Sequence, residues 1–111
     1  MIKFKINNHT WSIKEKTSEE LLEMYSKEHS TANVSYLFGV TWCSQQEIWI
    51  NKNSCEEQRI KTLKHELAHC YMWEYGMYYA DNYNEEIICD LIATSNEFIN
   101  EVVEKYKKEN K

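Results

Sequence analysis

A chain of 111 residues with 42% apolar and 28% charged positions has the size and balance of one soluble globular domain, which excludes a disordered segment and a scaffold that needs disulfides for its core. Its formal net charge of −5 offers no broad positive field to a phosphate backbone, so nucleic acid is not an expected partner. No apolar stretch approaches the roughly 20 residues that span a bilayer, and Met1-Ile2-Lys3-Phe4-Lys5 lacks the apolar core of a secretory signal; no membrane contact is expected and the chain reads as cytoplasmic.

In chain order, residues 2–6 and 10–13 alternate apolar and polar around Asn7-Asn8, the pattern of a β-hairpin. Thr17 or Ser18 followed by Glu19 and Glu20, with Leu21, Leu22 and Tyr25 at helical spacing, predicts a short amphipathic helix to about Lys27. The stretches 35–42 and 47–51, rich in aromatic and β-branched residues and parted by Ser44-Gln45-Gln46, predict a second hairpin. Ser54 and Glu57 stand at capping-box spacing, and no Gly or Pro interrupts the chain until Gly76, which allows a helix of about six turns with a natural stop. The segment 77–83 has no period and reads as a loop, with Asn82 or Asn84 as a cap. From Glu86 onward Ile87, Ile88, Leu91, Ile92, Phe98, Ile99, Val102, Val103 and Tyr106 mark a last helix, after which a charged tail frays. The order β-β-α-β-β-α-α describes a single α+β domain over residues 1–111, with a small antiparallel sheet.

The fifth element carries His65-Glu66-Leu67-Ala68-His69. Two residues four apart on a helix differ by about 40° around the axis and about 6 Å along it, so both imidazoles can reach one metal ion. Glu66, about 100° round from His65, stands beside the ligand face, where a carboxylate can act as general base on a metal-activated water. A catalytic Zn2+ usually takes three protein ligands and keeps a position open for water, which directs attention to the next helix. There Glu86 and Asp90 share a face. Glu86 is the candidate third ligand, and Asp90 a candidate acceptor for the free ring nitrogen of a ligating histidine. Glu85 competes with Glu86 but is spaced five from Asp90, on a different face. Cys89, three from Glu86, could instead close the site into a structural one.

His65-Glu66-Leu67-Ala68-His69 followed by Glu86-Ile87-Ile88-Cys89-Asp90 resembles the gluzincin arrangement, HExxH on one helix and ExxxD on the next. The short chain is most similar to ImmA/IrrE-type metallopeptidases and related short phage and mobile-element proteins, over roughly residues 35–99. The resemblance implies a minimal zincin-like domain and a zinc metallopeptidase acting on a protein or peptide substrate laid along a sheet edge, for which 35–42 is the candidate strand. A reading from a different class is a non-catalytic, zinc-stabilised, partner-binding or regulatory protein of a mobile element.

The remaining residues have plainer expectations. His9 and His29 stand alone and read as surface histidines. Leu63, Leu67, Cys70 and Tyr71 form a core stripe opposite the motif histidines. The four cysteines, Cys43, Cys55, Cys70 and Cys89, read as reduced and mostly packed. Tyr78, Tyr79 and Tyr83 are loop phenols of the kind that can donate to an oxyanion.

Overall fold

The computed structural model describes residues 1–28, 36–76 and 85–109, the side chains of Glu28, Glu85 and Glu86 excepted. The first hairpin pairs β1 (Ile2–Ile6) with β2 (His9–Lys16). Asn7 and Asn8 turn the chain with φ of 50° and 65°, the left-handed pair that matches the twist of a two-residue hairpin and that asparagine tolerates well. Helix α1 (Ser18–Glu28) opens on a reciprocal cap. The Thr17 hydroxyl accepts from the Glu20 amide at 3.1 Å while the Glu20 carboxylate accepts from the Thr17 amide at 3.0 Å, so two otherwise orphaned donors are satisfied together.

The second hairpin is β3 (Gly39–Trp42) and β4 (Glu47–Asn51). Its turn is closed by the Gln46 amide on the Cys43 carbonyl at 3.2 Å, with Gln46 at φ 58°. The strand is shorter than the sequence pattern suggests: Tyr36, Leu37 and Phe38 precede it without strand pairing. Asn51, fully buried, holds this lead-in. Its amide donates to the Leu37 carbonyl at 2.8 Å and to the Ser18 hydroxyl at 2.9 Å, and the Phe38 carbonyl accepts from the Asn51 amide N–H at 2.8 Å.

The four strands form one sheet in the order β1-β2-β4-β3. Both hairpins are antiparallel, but β2 and β4 run parallel, with Ile13 opposite Ile48 and Glu15 opposite Ile50. The sheet is therefore mixed, which corrects the all-antiparallel expectation. Parallel neighbours need a long crossover, and the segment carrying α1 between β2 and the second hairpin provides one.

Helix α2 (Glu56–Glu74) begins one residue later than a Ser54 cap requires: Cys55 is the N-cap and makes no side-chain capping bond. Ser54 instead donates its hydroxyl to the Asn51 carbonyl at 2.7 Å, bracing the turn out of β4. At the other end Gly76, at φ 76°, terminates the helix as its sequence position predicts.

Helix α3 (Glu85–Glu109) remains helical three residues past Tyr106, and Lys107 and Lys108 in its last turn suit the negative end of the helix dipole. Its apolar stripe is buried only toward the C-terminus. Val102, Val103 and Tyr106 enter the core, whereas Ile88 and Ile92 are exposed.

The core lies between the sheet and the helices. One sheet face supplies Ile2, Phe4, Ile6, Trp11, Ile13, Ile48 and Ile50. Leu63, Leu67 and Cys70 of α2 meet it, with Tyr71 packed alongside, so the predicted stripe is the core stripe. Each fully buried Leu here contributes about 1.5–3 kcal/mol relative to exposure. Tyr106 donates its hydroxyl to Glu15 Oε2 at 3.0 Å, and Arg59 of α2 approaches the same oxygen at 3.5 Å, which joins β2, α2 and α3. Burial, and then the neighbouring Glu15 carboxylate, push the Tyr106 phenol up to about 12. Among the described residues no helix is long and apolar enough to cross a membrane.

Candidate functional site

Helix α2 packs on β3, β4 and α3, and His65, Glu66 and His69 border a cleft beside β3, the edge strand of the sheet. His65 and His69 are exposed. Their imidazoles lie 4.9 Å apart between ring centroids, with planes at 75°. Neither has a hydrogen-bond partner among the described residues. Both border a cleft of about 380 Å³ whose walls also include Thr41, Cys43, Tyr25 and Glu66. A second hollow of about 330 Å³ shares Gly39, His65 and Glu66 and is walled by Tyr36, Phe38 and Lys61.

Glu66 differs from the two histidines in being 7% exposed. Its carboxylate leans on the edge strand, where Oε1 accepts from the Thr41 hydroxyl at 2.7 Å. Oε2 has no protein partner among the described residues and is not sealed from solvent.

The close approach of strand and helix depends on Gly39. A Cβ there would stand 2.6 Å from Thr62 Cγ2, 2.9 Å from the Trp49 carbonyl oxygen and 3.4 Å from Glu66 Cγ. Gly39 and Thr41, two apart on one strand face, thus form the seat of Glu66. The sequence reading missed this seat, though a lone glycine inside a β-rich stretch is a known sign of close backbone approach.

The spacing of the two imidazoles is compatible with a shared zinc ion. Two imidazole nitrogens at about 2.0–2.1 Å from a tetrahedral ion put the ring centroids about 5 Å apart, close to the 4.9 Å found. Glu86 lies in the first turn of α3, and its side chain is outside the described residues. Among the described residues no three His, Cys, Asp or Glu side chains converge as a ligand set. Asp90 is exposed; its backbone carbonyl accepts from Thr94 at 2.7 Å, and no bond joins its carboxylate to either imidazole.

His9 is exposed, as expected of a surface histidine, and its Nδ1 stands 2.7 Å from Glu74 Oε1, while the indole N–H of Trp11 donates to Glu74 Oε2 at 2.7 Å. The cysteines are free, but only Cys70 is buried, while Cys55 and Cys89 are exposed. The apolar surroundings of Cys70 push its thiol far up, and burial followed by the Glu74 and Glu66 charges raises that of Cys43. The reason for the miss on Cys89 is geometric, because α3 buries its stripe only beyond Ser95. His29, Tyr78, Tyr79, Tyr83 and the candidate caps Asn82 and Asn84 lie outside the described residues. Among the described residues, the tyrosine that borders the cleft is Tyr25 of α1.

In comparisons with protein-family models, curated proteins and solved structures, nothing matches this chain.

Proposed function

We propose that this chain is a zinc-dependent metallopeptidase of minimal zincin-like build, hydrolysing a peptide bond in a protein or peptide substrate. The observation that carries the reading is the pairing of two solvent-facing imidazoles 4.9 Å apart with a carboxylate seated between their helix and an edge strand, on one cleft. His65, His69 and Glu86 would hold the metal. When bound, zinc supplies Lewis-acid polarisation of the scissile carbonyl and lowers the pKa of water.

The chain's own groups do the rest. Glu66 takes the proton of the attacking water on the oxygen that Thr41 does not hold and passes it to the leaving amine, so no covalent intermediate is needed. Being largely buried, it meets little competing bulk water. Strand β3 is the sheet edge bordering the cleft, and its free main-chain groups can bind an extended peptide.

The test combines metal analysis with turnover of dye-labelled unfolded casein. Protein purified without chelator is expected to hold about one equivalent of zinc. His65→Ala, His69→Ala and Glu86→Ala should each lose it, and Glu85→Ala should not. Glu66→Gln should keep zinc and cut turnover by roughly 10² to 10⁴. Unchanged turnover in Glu66→Gln would refute Glu66 as the base, whereas zinc held by four protein ligands in a parent that cuts nothing would favour the non-catalytic, partner-binding reading.

A further inference from the structure

We infer that Thr41 is the positioning residue of Glu66, so that the edge strand, and not the metal helix alone, sets where the base stands. The catalytic consequence rests on the hydrolase reading above; the positioning itself does not. Glu66 has three side-chain torsions, and its helix fixes none of them. Left free, such a side chain samples several rotamers, and holding it in one costs conformational entropy.

The structure contains the restraint. Thr41 Oγ1 is 2.7 Å from Glu66 Oε1 and 3.3 Å from the Glu66 backbone carbonyl. A hydroxyl has one proton to donate, and the shorter contact, to the charged acceptor, is the stronger bond. Threonine is itself stiff at χ1, and its strand is pinned to Ile48 of β4 by the ladder. The missing Cβ of Gly39 lets β3 come up against Thr62 of α2, where a Cβ would stand 2.6 Å from Thr62 Cγ2, and so keeps the Thr41 hydroxyl within reach of Glu66. One carboxylate oxygen is thereby anchored, and the other has no partner among the described residues.

A merely structural role, tying β3 to α2, is the rival explanation, and it predicts a loss of stability alone. The experiment uses the full zinc-loaded chain and its Thr41→Val and Thr41→Ser variants, with Glu66→Gln as control and casein as probe. A hydrogen bond to a charged group is worth about 1.5–3 kcal/mol, a factor of about ten to a hundred in rate. Thr41→Val should therefore lower kcat by about tenfold or more per folded molecule, with KM and zinc affinity unchanged, and Thr41→Ser should recover it to within about twofold.

A second readout needs no turnover. In metal-free protein labelled with 13C at glutamate carboxyls, the resonance assigned to Glu66 by its loss in Glu66→Gln should move in Thr41→Val and return in Thr41→Ser. An unmoved resonance in Thr41→Val overturns the proposal whether or not casein is cut. So does a kcat loss that disappears after correction for the folded fraction. A Glu66→Gln variant as active as the parent removes Glu66 as the base, and a parent that cuts nothing sinks the hydrolase reading; in both cases the carboxyl resonance decides the placement.

Discussion

Glu66 and Glu74 lie two turns apart on α2, both with largely buried side chains, and the contrast between them separates structure from chemistry in this molecule. The Glu74 side chain is 2% exposed, and each of its oxygens has a partner, His9 on one and Trp11 on the other. Asn7 adds a bond to the Glu74 carbonyl at 3.0 Å, so the first hairpin is fastened to the end of the helix. Glu66 has one oxygen held by Thr41 and one left open on the cleft. A carboxylate with both oxygens engaged locks two elements together. One that is half engaged is held in place and still able to accept a proton.

The largest expected difference between the two is in turnover, where Glu66→Gln should lose roughly 10² to 10⁴ while Glu74→Gln stays near the parent once its folded fraction is counted. Equal losses would erase the contrast. Gly39→Ala attacks the open site through packing, since the new methyl meets a backbone oxygen at 2.9 Å that cannot step aside. A cost of about 3 kcal/mol in urea unfolding is expected, accompanied by loss of activity in the folded fraction. Glu74→Ala attacks the closed site and leaves the buried Trp11 indole N–H without an acceptor. Its expected cost is about 2 kcal/mol, read by the same unfolding curves with kcat unchanged.

The smallest effect comes from a third carboxylate on the far sheet face. Burial tends to raise Glu47, but hydrogen bonds from Lys14 at 2.9 Å and Trp49 at 2.8 Å, with the Lys14 and Lys16 charges, hold it below its ordinary value of 4.5. A carboxylate lowered in the folded state contributes stability above the unfolded value, and that contribution fades as pH falls through the folded one. Urea midpoints should therefore decline below about pH 4.5, with a shallower decline in Glu47→Gln. Identical slopes for the two proteins would remove Glu47 from the acid response.

Periodicity and turn chemistry carried most of the element order. Alternation at 2–6 and around Trp11 placed the first hairpin, and Gly76 ended α2 where a left-handed residue was needed. The HExxH spacing brought His65 and His69 together because a helix repeats every 3.6 residues whatever surrounds it. These are local properties, encoded within a few residues of one another. Ile88 and Ile92 show the limit of that code: their spacing is right for a buried stripe, yet burial depends on what lies opposite, and the core reaches α3 only further along.

The parallel junction of β2 with β4, the His9–Glu74 pair and the Thr41 seat of Glu66 span 25 to 65 positions of chain. No periodic pattern encodes such meetings, because they depend on how the crossover through α1 lays one hairpin beside the other. Side-chain chemistry told which residues were able to act. The stacking of sheet on helix chose which carboxylate was shut in and which was left facing the cleft, since only packing determines where water and donors remain within reach.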